Sequence, residues 1–151
     1  MRRILALFSL VLWLPSSAGA ETQADAVTIH RSVDRVVYEQ GPIRAAPFLD
    51  EGTSELYIGT LTLAPGTIVP PHTHEGSVEI LTILSGKGVM QLGGESVPVG
   101  PGATIHIPAG VLHDFAVSGT RAVEAIQIYS PKGPDARFRQ WTPVHTDSKA
   151  P

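Results

Sequence analysis

The 151-residue chain contains no cysteine, which excludes a disulfide framework, a lipid-bearing cysteine and a thiolate metal ligand. Asparagine is also absent, so there is no acceptor for an N-linked glycan. Charged residues make up only 17% and aromatics only 6%. No heptad, helical repeat period or long amphipathic helical pattern is present. Basic residues are in deficit, with 11 Lys+Arg against 14 Asp+Glu and a formal net charge of −3, which disfavours a nucleic-acid partner.

What is abundant is turn chemistry. Glycine (15) and proline (13) are frequent, a composition that favours short strands joined by tight turns. The length fits one domain with one core. An all-β fold is the expectation.

Residues 1–20 differ from the rest: Arg2 and Arg3, a mainly apolar run from Ile4 to Leu14, then Pro15, Ser16, Ser17, Ala18, Gly19 and Ala20. This pattern predicts a signal peptide cleaved after Ala20, and hence a periplasmic or secreted protein. The alternative is a membrane anchor, but a helix over that run rises only about 16 Å against a hydrocarbon core of roughly 30 Å. The paired arginines leave open export of an already folded protein. Removing them takes 11 Lys+Arg to 9 against 14 Asp+Glu, for a mature net charge of −5.

Residues 21–50 form an N-terminal extension, with a loose alternation over Val27–Tyr38 that predicts an edge strand, followed by a Gly41-Pro42 turn. Residues 51–130 carry the main domain. Its β-rich runs are Glu55–Leu63, Val78–Leu84, Val89–Leu92, Ala103–Ile107 and Ala122–Tyr129, separated by glycine and proline turns. Such spacing indicates a sandwich or barrel. Residues 131–151 form a polar, proline-bearing extension, expected to be loosely packed and disordered from Thr142, with Phe138 and Trp141 able to cover a barrel end or a partner subunit.

His72 and His74 stand two apart, which in an extended strand puts both imidazoles on one face. Glu79 follows after Gly76, near enough for the chain to turn and present a carboxylate beside them, and His113 supplies a third imidazole. Three imidazoles and one carboxylate suit Mn, Fe, Co, Ni or Zn as a divalent ion, with open positions if the geometry is octahedral. Taken alone, a His-X-His pair reads more readily as a surface accident.

The pair is not alone. The stretch Gly66–Gly86 reads G-T-I-V-P-P-H-T-H-E-G-S-V-E-I-L-T-I-L-S-G, and Gly102–His113 reads G-A-T-I-H-I-P-A-G-V-L-H. These resemble the two cupin motifs, G-x5-H-x-H-x3,4-E-x6-G and G-x5-P-x-G-x2-H, at all nine fixed positions. The asparagine that usually ends the second motif is replaced by Val117, a departure that touches a turn or packing detail and no ligand. The resemblance implies a single jelly-roll (double-stranded β-helix) barrel whose cavity holds one divalent metal on His72, His74, Glu79 and His113, and often a homodimer.

Other candidates are weaker. His106 is a possible acid or base, although a packed or solvent-facing ring is the commoner role. Glu79 is a possible base as the only non-imidazole ligand. Glu75 should point away from the site. Tyr57, Gln91, Gln127 and Tyr129 are wall candidates, Phe115 is packing, and His30 and His145 have no companions. The implied functions are a metal-dependent enzyme of the dioxygenase type acting on a small chelating enol, diol or carboxylate, an oxygen-independent isomerase, lyase or decarboxylase, or a non-catalytic binder of metal or small ligand. No membrane contact is expected once the leader is removed. N-terminal sequencing of the protein recovered from outside the cytoplasm should begin at Glu21; a chain retaining Met1 in the membrane fraction contradicts cleavage.

Overall fold

The computed structural model describes residues 35–49 and 55–145. The leader over residues 1–20, the start of the predicted first strand, His30 and the last six residues lie outside them. The described residues form eleven strands and one short helix: β1 (Val36–Gln40), β2 (Ile43–Leu49), β3 (Tyr57–Leu63), β4 (Ile68–His72), β5 (Val78–Ser85), β6 (Gly88–Leu92), β7 (Glu95–Val99), β8 (Thr104–Ile107), β9 (His113–Val117), β10 (Val123–Ser130), a 3-10 helix (Pro134–Gln140) and β11 (Thr142–His145).

The strands make two antiparallel sheets, one in the order β11-β1-β2-β3-β10-β5-β8 and the other β4-β9-β6-β7. The all-β jelly-roll expectation holds. Among the described residues, strand pairing does not join the two sheets into one closed cylinder. The core lies between them, with Leu61, Leu63, Leu81, Ile83, Val123 and Ala125 from the larger sheet meeting Met90, Phe115 and Val117 from the smaller.

Alternation decides which side chains face inward, because successive residues on a strand point to opposite faces. In β3, β9 and β10 buried residues alternate with more exposed ones along the whole strand. In β5 the inward set is Glu79, Leu81 and Ile83, and in β9 it is His113, Phe115 and Val117. Polar site residues therefore continue the same stripes that supply the apolar core.

Two glycines of the motifs are required by backbone geometry. Gly86 has φ +78°, and a Cβ there would collide with the Ala122 carbonyl. Gly110 has φ +76°, and its N–H donates to the His74 carbonyl at 3.0 Å, tying the turn before β9 to the loop that carries a ligand. A side chain with Cβ is disfavoured at both φ values.

Several elements differ from expectation. β2 was not legible because Ile43–Leu49 contains two alanines and Pro47, residues depleted in strands; the proline sits where the register shifts, a place where a missing N–H is tolerated. The described part of the C-terminal extension, residues 131–145, is not loosely packed. Phe138 is 1% exposed and clusters with Ala45, Tyr57 and Tyr129, flanked by Tyr38 and Trp141. Nor does order end at Thr142, since Thr142–His145 pairs with β1 as β11. An aromatic residue offers enough apolar area to order a short segment that composition alone marks as mobile. Phe138→Ala should lower unfolding free energy by about 3–5 kcal/mol in chemical denaturation; a loss below about 1 kcal/mol would show that the extension packs loosely after all.

Candidate metal centre

β4 is an edge strand carrying Pro70 and Pro71, and its pairing with β9 slips between Val69 and His72. Two prolines without N–H groups cannot continue a ladder, and an edge bulge accommodates them. Pairing resumes at His72, directly opposite His113, with the two imidazole centroids 4.2 Å apart. The strand ends there, so His74 reaches the site from a loop rather than through the strand alternation the spacing predicted. A turn follows, with the Ser77 N–H facing the His74 carbonyl at 3.4 Å, and the chain re-enters as β5 with Glu79 pointing inward.

The structure brings the four predicted ligands together. One donor atom from each of His72, His74, Glu79 and His113 lies within 4.8 Å of all the others. Glu79 Oε2 is 3.0 Å from His74 Nε2 and 3.2 Å from His113 Nε2. Glu79 comes from the larger sheet and His113 from the smaller, so the centre spans the interior between the sheets.

Backbone carbonyls fix two of the rings. His72 Nδ1–H donates to the Pro70 carbonyl and His113 Nδ1–H to the Val111 carbonyl, each at 2.8 Å. A carbonyl can only accept, which assigns the proton to Nδ1 and turns Nε2 inward as the ligating atom. Glu79 Oε1 accepts from Gln127 Nε2 at 2.7 Å, and the same nitrogen donates to the Tyr129 hydroxyl at 2.8 Å. Arg137 donates to that hydroxyl at 3.0 Å. The carboxylate is thereby held at both oxygens.

These contacts set the charges. Burial pushes the Glu79 carboxyl up, but hydrogen bonds from His113, His74 and Gln127 outweigh it and hold the group well below the usual carboxylate range. Burial lowers the pKa of His72, only partly offset by its bond to Pro70. For His113 burial also acts downward, yet the bonds to Glu79 and Val111 win and the value is raised. Burial, with the nearby Glu79 charge, pushes the Tyr129 hydroxyl far up, so it stays protonated.

The donor set fits a divalent transition ion. Ligands at roughly 2.0–2.3 Å from a common centre stand up to about 4.5 Å apart, so closing on an ion asks for shifts of a few tenths of an ångström. Three imidazole nitrogens and one carboxylate oxygen, tethered behind by carbonyls and an amide, are the supports such ligands ordinarily need. Glu79 has Oε1 taken by Gln127 and Oε2 turned toward His74 and His113, which leaves neither oxygen free for a proton transfer. It suits the role of ligand better.

A cavity of about 270 Å³ opens onto the centre. His72, Glu79, His113 and Gln127 face it, whereas His74 lies behind, its ring edge-on to Tyr129 at 5.0 Å. Leu61, Leu63, Leu81, Met90, Ile107 and Phe115 make much of the remaining wall. His106 is exposed on the outer face of β8 and does not line the cavity; a role as acid or base at the centre does not fit that placement. Glu75 is exposed and accepts from Thr73 at 2.9 Å, as expected. Gln91 bonds Ser96 away from the ligands, while Tyr57 packs with Tyr129 and Phe138. Arg137 and Asp114, which line the cavity, were not anticipated. Asp114 follows a ligand directly, but nothing in the sequence around Arg137 signals its approach.

Comparison with known proteins agrees with the fold. Residues 59–129 match the model of the cupin domain. A protein named oxalate-binding protein from Thermotoga maritima is 34% identical over 68 residues, covering 45% of this chain and 56% of its own length. Germin-like protein 3-7 of Oryza sativa subsp. japonica is 29% identical over 99 residues, covering 62% and 42%. The chain thus spans about half the length of these relatives. Among solved structures, KdgF from a Halomonas species superposes with a TM-score of 0.66 at 19% identity, covering 74% of this chain and 99% of its own. A predicted oxalate decarboxylase from Thermotoga maritima gives 0.62 at 23% identity, covering 70% and 100%. These likenesses carry the fold alone.

The pKa directions give a pH window. A raised His113 value means its stabilising bond to Glu79 is complete below the ordinary histidine value of 6.5 and fades as pH rises through the folded value. A depressed Glu79 value means its contribution is present above its ordinary 4.5 and fades as pH falls towards the lower folded value. In metal-free protein, Glu79→Gln should therefore cost most between about pH 4.5 and 6.5, by about 1–3 kcal/mol, and less on either side. Denaturation across pH tests this; a cost that keeps growing from pH 6 down to pH 3 contradicts it.

Proposed function

Because residues 59–129 of the chain are a cupin domain, we propose that the protein is an exported metal-dependent enzyme of the dioxygenase or a related type, acting on a small chelating enol, diol or carboxylate. The observation that carries this is the convergence of three imidazoles and one carboxylate at the base of a cavity. Export rests on the leader-like residues 1–20. Among the described residues no helix is long and apolar enough to cross a membrane.

A divalent ion bound there supplies Lewis acidity and a template for a chelating ligand. His72 and His113 hold their Nε2 atoms inward because carbonyls retain their Nδ1 protons. Gln127 fixes the Glu79 carboxylate through Oε1, which leaves Oε2 for the centre. The leucine, methionine and phenylalanine wall excludes water from one side of the ligand. Both edges of the smaller sheet offer pairing surfaces for a homodimer, with Val97 on β7 41% exposed and Ile68 on β4 72% exposed.

A second reading is favoured by one observation: both oxygens of Glu79 are engaged within the site, Oε1 by Gln127 and Oε2 among the imidazoles, so neither stands free as a base. An oxygen-independent lyase, isomerase or decarboxylase whose substrate supplies its own acidic proton, or a non-catalytic binder, accommodates this. The name of the Thermotoga relative also supports binding. The test is a panel of enols, diols, uronates and carboxylates given to metal-loaded protein with and without oxygen. Turnover with oxygen uptake is expected; turnover that persists anaerobically selects the oxygen-independent enzyme. Calorimetric binding without turnover selects the binder, and neither binding nor turnover overturns the proposal.

A further inference from the structure

Arg137 lies outside the cupin match, which ends at residue 129, yet its side chain lines the same cavity as His72, Glu79 and His113. Its position is built rather than incidental. The helix that bears it starts with Pro134, and the buried Asp135 carboxylate accepts the Gly133 N–H at 2.7 Å. Phe138, next in sequence, is sunk into the aromatic cluster, and the Trp141 N–H closes the turn on the Phe138 carbonyl at 2.9 Å. The guanidinium rests 5.0 Å from the Phe138 ring centroid and donates one hydrogen bond, to Tyr129.

Among the described residues Arg137 has no carboxylate partner. A guanidinium has five N–H donors in a planar fork, so donors remain for a second, anionic partner. The charges around the centre point the same way. A divalent ion outweighs the single Glu79 charge, and Arg137 adds another positive charge, opposed along the lining by Asp114. Away from these groups the wall is hydrocarbon: Ile43, Leu61, Leu63, Leu81, Met90 and Phe115. A cavity of about 270 Å³ holds the equivalent of roughly nine waters at about 30 Å³ each, more than a two-carbon dianion fills.

We propose that Arg137 is the carboxylate clamp of this site, and that the ligand is a monocarboxylate with a short apolar chain or ring. Its acid group is shared between the metal and Arg137, and its hydrocarbon part lies against the leucine and phenylalanine wall. The inference rests on the metal-centred reading above and narrows its ligand class. The C-terminal extension thereby supplies a specificity determinant that the matched domain lacks.

The test uses full-length metal-loaded protein and calorimetry with 2-oxopropanoate, 2-oxobutanoate, 2-oxopentanoate, oxalate and the neutral amide of 2-oxopentanoate. Affinity should rise by up to about fourfold per added methylene, and oxalate should bind more weakly than the longest acid. Arg137→Met keeps the aliphatic stem and should weaken the acids roughly tenfold or more, the amide by clearly less, while leaving the metal content unchanged. Arg137→Lys should recover part of the loss, and circular dichroism of both variants guards against misfolding. Acids that bind wild type and Arg137→Met equally overturn the clamp but spare the metal-centred reading. A flat chain-length series, or oxalate binding best, overturns the apolar-body assignment, and wild type that takes up no metal overturns both readings.

Discussion

The carboxylate of Glu79 is buried between two sheets with donors on both of its oxygens, and the architecture of the site follows from the need to keep them there. An ionised carboxylate without partners in an interior would cost several kcal/mol. His74 and His113 answer it at Oε2, and Gln127 at Oε1. Each comes from a different part of the chain: a loop after β4, the first residue of β9 and the middle of β10. The fold has to close before the charge is satisfied.

That closure is achieved by strand periodicity. Glu79 shares its face with Leu81 and Ile83, His113 with Phe115 and Val117, and Gln127 with Val123 and Ala125. The apolar members of each stripe are removed from water and fix the register. The polar members, at one end of the stripes, then meet with no further adjustment of the backbone. The register pairings of His72 with His113 and Glu79 with Tyr129 express the same constraint.

Much of this was legible in the sequence. The ligands were readable because a metal site needs particular residue types at particular turns, and Gly86 and Gly110 mark backbone conformations that disfavour other residues. β2, β4 and β7 were harder to see, since prolines, alanines and polar residues in edge or bulged strands dilute alternation, and β9 because its inward stripe begins on the polar His113. The second half of the site was not legible. Gln127 read as an ordinary wall residue because its bond to Glu79 spans 48 positions, and Arg137 sits in a segment whose composition resembles a tail. Only the burial of Phe138 shows why that segment is ordered.

The central claim is that the four donors grip one cation. Elemental analysis of protein purified without chelators should find about one divalent transition ion per chain, and His72→Ala and His113→Ala should each lose most of it and melt at lower temperature. Metal content that is unchanged in both variants would contradict the account.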